Sequence, residues 1–230
     1  MVQITGRTAL VTGGQRGLGA AFAAELLAQG AERVYVTARS PKPSDDPRLV
    51  PVQLDVTDPE SVARLAAEIG GEVSIVFNNA GVTSGLGMLD TSIEDMKSVF
   101  ETNVWGAVRI AQAFAPVLAA HESSALVDVH SVLSWVAGFG AYGGSKAAIW
   151  SLTNSLRLEL APQGVQVLGV HLGYADTDLI AGLDVPKMTP GFVAGQTIAA
   201  LKAGEDEVLV DDLSRAVKAK LSGPVGELHG

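Results

Sequence analysis

Residues 8–19 read Thr8-Ala-Leu-Val-Thr12-Gly13-Gly14-Gln15-Arg16-Gly17-Leu18-Gly19. A short apolar run ends in glycines, and a stretch with helical apolar spacing, Leu18 to Gln29, follows it. Strand, glycine turn and helix in that order form an anion-binding arrangement. Glycines let the turn close tightly and let a pyrophosphate approach the backbone. The helix start adds free N–H groups and the positive end of its dipole. The spacing Gly13, Gly17, Gly19 departs from the common G-x-G-x-x-G, and alone the cluster also reads as a packing turn.

The same alternation runs along the rest of the chain. Val34–Ala38, Val50–Leu54, Val73–Phe77, Ala125–His130, Val165–Val170 and Val208–Val210 are further strand candidates. Helical patterns start at Asp58-Pro59, a favoured N-cap and N1 pair, and cover Ser145–Leu160 and Pro190–Leu201. Another runs from Ile93 through Phe114 to His121, with a break expected near Asn103, while Pro41–Pro47 reads as a loop. Seven strands with helical crossovers predict an α/β, single-domain, doubly wound Rossmann-type fold: a seven-stranded parallel sheet with helices on both faces. No repeat or linker divides residues 1–230. Residues 175–190 read as a short loop over the sheet edge. Residues 222–230 read as a flexible polar tail or one that crosses to a neighbouring subunit.

Composition narrows the function. At 230 residues the chain fits one domain by the usual allotment of about 150. The 47% hydrophobic content supports a sizeable core. Lys and Arg total 16 against 25 Asp and Glu, a net charge of -9, which disfavours a broad nucleic-acid surface. There is no cysteine, so a disulfide framework, a thiol nucleophile and thiolate zinc are excluded. No apolar stretch reaches the roughly 18 residues of a membrane span, and no cleavable leader pattern precedes Gly14. A cytoplasmic protein with no membrane and no nucleic-acid partner is expected. The histidines His121, His130, His171 and His229 show no ligand-like spacing and read as incidental, and no metal is expected.

The end of the second strand should meet an adenosine ribose. There Arg39 stands where an acidic residue would favour NAD, and Arg16 in the glycine turn adds a second cation. Both suit a 2′-phosphate, although each also reads as a solvated loop residue. NADP(H) is therefore the preferred cofactor, with NAD(H) possible. Asp55, with Val56 beside it, follows the third strand and can accept from an adenine amine, or cap the next helix. Asn78, Asn79, Ala80 and Gly81 form a polar exit at the end of the fourth strand, where ligands of open α/β sheets bind.

Tyr142 and Lys146 are four positions apart and share a face if the helix reaches Tyr142. An ammonium near a phenol lowers its pKa. Ser131 ends the fifth strand, and Asn103 is an amide inside an apolar helical stretch. In this order these motifs resemble the short-chain dehydrogenase/reductase family in its classical form, from residue 5 to about 180. The resemblance implies an NAD(P)-binding catalytic domain acting on a carbonyl or secondary alcohol. Tyr142 is then the general acid/base, Lys146 its partner and a ribose ligand, Ser131 the substrate-oxygen donor and Asn103 the holder of a relay. The cofactor set it implies is Thr12, Gly13, Gln15, Arg16, Gly17, Leu18, Gly19, Arg39, Asp55, Val56, Asn79, Ala80, Gly81, Tyr142, Lys146, Gly173 and Thr177. Leu172-Gly173 replaces the family's Pro-Gly pair, so that loop is expected to run differently. Apolar residues from Val132 to Phe139 read as the wall of a pocket for a small, apolar substrate. The resemblance also implies a homodimer or homotetramer. The competing functions are a silent dinucleotide-binding sensor or scaffold, against which intact Ser131, Tyr142 and Lys146 argue, and a sugar-nucleotide epimerase, for which 230 residues leave little room.

Overall fold

The computed structural model describes residues 1–84 and 87–228. Seven strands form one parallel sheet: β1 (Thr8–Val11), β2 (Arg33–Ala38), β3 (Leu49–Gln53), β4 (Val73–Asn78), β5 (Ser124–Val129), β6 (Val165–His171) and β7 (Glu207–Leu209). Their order is β3-β2-β1-β4-β5-β6-β7. Strands buried on both faces need side chains that are mostly apolar in both directions, which is why β1, β4 and β5 are largely apolar, with the buried polar exceptions Thr8, Ser74, Asn78, Ser124 and Asp128. One core layer gathers Phe22, Phe77, Leu168 and Ile198, and the other gathers Leu10, Ile110, Phe114 and Leu126.

The order reverses between β1 and β4. Crossovers from these two strands leave on opposite faces and open a crevice at their C-terminal ends. The glycine turn, Asn79 and Ser131 all stand at strand C-termini, so the topology delivers them to one edge.

The helices are α1 (Gly17–Ala28), α2 (Pro59–Ile69), α3 (Ile93–Phe100), α4 (Ala107–Ala119), α5 (Gly140–Leu160), α6 (Pro190–Ala203) and α7 (Asp212–Ala219). The expected break near Asn103 is a π-helical turn, Glu101–Gly106, between α3 and α4. Such turns carry an extra residue and commonly mark functional sites. Helix α5 begins five residues before the expected Ser145 and takes in Tyr142. Gly143 and Gly144 are weak helix formers, which hides this start in the sequence. Gly143 is needed because a Cβ there would lie 3.2 Å from the Leu133 carbonyl.

The β2-to-β3 crossover contains no helix. Residues 39–48 carry Pro41, Pro43 and Pro47, which lack N–H donors and hold their predecessors out of helical geometry. The loop borders a groove of about 840 Å³ beside Ala20, Ala24 and Leu27 of α1. The 175–190 segment is pinned at its base: Met188 N–H donates to the Tyr174 carbonyl at 2.8 Å, and Asp176 N–H to that of Met188 at 2.9 Å. In the tail, Val225–Leu228 make a 3-10 turn; His229 and Gly230 lie outside the described residues.

Helix α7 is only eight residues long, too short for apolar spacing to mark it in the sequence. Asp211 ties it to the sheet. One carboxylate oxygen caps the helix at Ser214 N–H (2.7 Å), and the other accepts from Gly173 N–H (2.6 Å). Replacing Asp211 with Ala should cost about 2–3 kcal/mol, the sum of a helix cap and a charge-assisted bond. Denaturant unfolding checks this, and a loss below about 0.5 kcal/mol, the size of an ordinary surface change, would refute it.

Candidate active site

Thr12 is the joint of the site. Its hydroxyl donates to the Phe77 carbonyl (3.2 Å) and accepts from the backbone N–H groups of Asn79 and Ala80, both at 3.0 Å. The Asn79 amide returns two bonds, to the carbonyls of Thr12 (2.9 Å) and Gly13 (3.3 Å). Thr12 and Asn79 thus hold the glycine turn against the exit of β4. Gly13 and Gly17 take φ of 62° and 52°, a region that disfavours side chains. At Gly19 a Cβ would strike the Gly13 carbonyl oxygen.

The turn fits a dinucleotide phosphate. Helices α2, α3, α6 and α7 each begin with a side-chain cap, whereas α1, like α5, has neither a capping side chain nor an acidic residue in its first turn. Its first N–H groups, over Gly17, Leu18 and Gly19, lack side-chain partners and suit an anion. Thr177 stands over the turn, with its methyl group 3.2 Å from where a Gly17 Cβ would be. Arg16 lies 3.8 Å from Asp178, an exposed and weak pair.

Other expected ligands are committed elsewhere. The Gln15 amide pairs with the main chain of Lys42, donating to its carbonyl (2.6 Å) and accepting from its N–H (2.9 Å). That side chain therefore pins the helix-free crossover, and only its backbone remains for a phosphate. The Gly173 N–H is taken by Asp211. Asp55 accepts twice from Thr57, which holds its carboxyl below the usual range, with Arg39 adding charge attraction. Asp58, not Asp55, caps α2. Val56 is buried where a Cβ on Gly106 would strike it.

Ser131, Tyr142 and Lys146 come together at the end of β5. The Ser131 hydroxyl accepts from Leu133 N–H at 3.1 Å. Burial pushes the Tyr142 phenol up to about 12, and hydrogen bonding with Ser131 opposes that rise. Burial also pulls the Lys146 ammonium down to about 8. The ammonium donates to the Val129 carbonyl (2.7 Å) and stands 5.7 Å from the Tyr142 ring centre. Lowering of the phenol by Lys146 is thus not the dominant influence in the protein alone; desolvation is. Asn103 clamps Val82 through both amide ends, accepting from its N–H (2.8 Å) and donating to its carbonyl (2.9 Å). It also donates to Ser145 Oγ (3.0 Å), which donates to the Tyr142 carbonyl (2.7 Å). Ser145 escaped the sequence reading because a helical serine between glycine and lysine carries no pattern. Trp135, expected in the pocket wall, turns inward and stacks on His171 with ring centres 4.0 Å apart. The histidines read as incidental include a buried pair, His130 and His171, directly beneath Ser131.

The model of the short chain dehydrogenase family matches residues 7–186. The chain belongs to the short-chain dehydrogenase family. The chain is 36% identical over 198 residues to a short-chain dehydrogenase of Talaromyces islandicus, covering 78% of this chain and 69% of that one. It is 35% identical over 180 residues to the NADPH-dependent 1-acyldihydroxyacetone phosphate reductase of Schizosaccharomyces pombe, covering 74% and 60%. The chain thus spans about two thirds of the length of these relatives. A short-chain dehydrogenase from Burkholderia cenocepacia J2315, solved in complex with NADP, superposes with a TM-score of 0.91 at 34% identity, over 98% of this chain and 97% of that one. No helix among the described residues is long and apolar enough to cross a membrane, and none of their His, Asp and Glu side chains group as for a metal ion.

Replacing Thr12 with Val should strand the N–H groups of Asn79 and Ala80 at about 1–3 kcal/mol each and weaken dinucleotide binding, whereas Thr12→Ser keeps both. Calorimetric unfolding and dinucleotide titration of the two variants check this; equal behaviour would contradict the joint. A second expectation is spectroscopic. The tyrosinate absorbance lost in Tyr142→Phe should appear in the wild type near pH 12, the value burial imposes. A difference titration centred at an ordinary tyrosine pKa of about 10 would contradict it.

Proposed function

We propose that this chain is an NADP(H)-dependent dehydrogenase/reductase acting between a carbonyl and a secondary alcohol, with Tyr142 as general acid/base. The observation that carries this is the meeting of Ser131, Tyr142 and Lys146 in a buried setting at the end of β5, on the sheet edge where the uncapped α1 begins. The cofactor, when bound, supplies the hydride. The residues manage the charge that develops on the substrate oxygen. Ser131 and Tyr142 offer O–H donors there, where low dielectric strengthens each bond. Burial keeps the Tyr142 phenol protonated and so loaded for reduction. Alcohol oxidation needs that proton removed, and the nearby Lys146 cation favours its removal. The apolar side chains Leu133, Val136 and Phe139, only partly buried, favour an apolar substrate.

Arg39 at the end of β2, with no carboxylate in its place, supports NADP(H) over NAD(H). The NADP complex of the Burkholderia relative and the NADPH-dependent Schizosaccharomyces reductase support the same preference. Exposed Trp105 on the π-helical turn and Leu158 on α5 support a homodimer or homotetramer joined through these helices.

Tyr142→Phe should lower turnover with aldehydes and ketones by at least about 100-fold, the usual worth of an acid/base group, while NADPH binding followed by fluorescence stays intact. Comparable turnover in that variant would sink the assignment. Arg39→Asp should move the ratio of kcat/KM from NADPH toward NADH, and an unchanged ratio would make Arg39 a solvated loop residue.

A further inference from the structure

A chain of polar groups runs through the interior beneath Ser131. Asp128, fully buried on β5, has one carboxyl oxygen 2.8 Å from the Asn78 amide and the other 2.7 Å from Thr153 Oγ1. Thr153 Oγ1 is 2.9 Å from His130 Nε2, and His130 Nδ1 is 3.0 Å from His171 Nε2. His171 Nδ1 is 3.2 Å from the carbonyl of Ser131. Burial leaves none of these side chains to water.

Counting protons decides how the chain is charged. The contacts Asp128–Thr153, Thr153–His130, His130–His171 and His171–Ser131 need one proton each. An ionised Asp128, a threonine and two neutral imidazoles supply one fewer than that. Thr153 also faces the Ile149 carbonyl at 2.7 Å, which only deepens the shortage. The Ser131 carbonyl can only accept, so the His171 Nδ1 must donate. The missing proton sits either on His171, as an imidazolium facing Glu207, or at the far end, as the acid form of Asp128; with the acid form all four bonds point one way. Without that proton, His171 must move its own proton to Nε2 to avoid opposing the His130 lone pair, and the bond to Ser131 is lost.

We propose that Asp128 is a neutral carboxylic acid at neutral pH, and that through Thr153, His130 and His171 it positions Ser131. The surroundings agree. Burial raises Asp128 and lowers both histidines, so the proton belongs on the carboxyl. Lys146 and Arg157 of α5 pull the other way on Asp128 without a hydrogen bond to it. Glu207 of β7, 3.2 Å from His171 Nε2, pulls the other way on His171, and its charge is offset by Lys218 of α7 at 2.6 Å. The Trp135 stack fixes the plane of the His171 ring. Asp128, Thr153, His130 and His171 are positioning residues and touch no substrate.

Two measurements test this, and the first is independent of the proposed activity. The infrared difference between wild type and Asp128→Asn at pH 7 should show the C=O stretch of a protonated carboxylic acid; a carboxylate band alone would overturn the proposal. The amide in Asp128→Asn keeps a donor toward Thr153, so this variant should fold. The second measurement rests on the reading of Ser131 as substrate-oxygen donor. His171→Leu should lower kcat about five- to tenfold, the scale of one hydrogen bond, with KM for NADPH within about twofold because the cofactor site is untouched. His171→Asn, whose amide stands where Nδ1 does, should recover most of that loss. Unchanged kcat in His171→Leu, or no recovery in His171→Asn, would overturn the positioning role. A carboxylic-acid band together with no turnover even in wild type would instead count against the proposed activity.

Discussion

The join of Thr12 to the exit of β4 is the constraint on which the site depends. A parallel sheet that reverses its order opens a crevice between two strands, and those strands must be held in register there for the crevice to have a shape. One hydroxyl does this by using its full hydrogen-bonding capacity, with Asn79 bracing the glycine turn from behind. From that joint follow the open terminus of α1, the approach of Thr177 over the turn, and the placing of β5 and Ser131 alongside.

Dryness is the second determinant, and it acts on every titratable group at the end of β5. It pushes a phenol and a carboxylic acid toward their neutral forms, and it does the same to an ammonium and two imidazoles. Each charge that survives has a specific partner, as Glu207 has Lys218. The polar groups are satisfied by main-chain carbonyls or by each other, which is what makes them rigid. Asn103 shows the cost of this rigidity. Helix α3 must widen into a π turn before it continues as α4, and that widening lets one amide reach both Val82 and Ser145.

The sheet is not covered evenly. Ten residues replace a helix between β2 and β3, and Gln15 fastens that loop to the glycine turn. At the opposite end, Asp211 and the short α7 brace the loop after β6, where Leu172 stands in place of a proline. The cofactor edge is therefore fixed by side-chain clips at one end and by a helix cap at the other.

The architecture was legible in the sequence because strands buried on both faces must be mostly apolar, and because the glycine turn, Ser131 and the Tyr142–Lys146 spacing are local patterns. The family followed from their order. Local pattern could not show where α5 begins, since close packing against Leu133 outweighs the weak helix propensity of Gly143. Nor could it show that Gln15 and the Gly173 N–H have partners other than a cofactor, because Lys42 and Asp211 reach them only in the folded chain. The clearest case is Asp128, Thr153, His130 and His171. Nothing in their spacing links them, and adjacent parallel strands with one covering helix bring them together. Hydrogen bonds between distant residues depend on register and on burial, and those are properties of the tertiary structure alone.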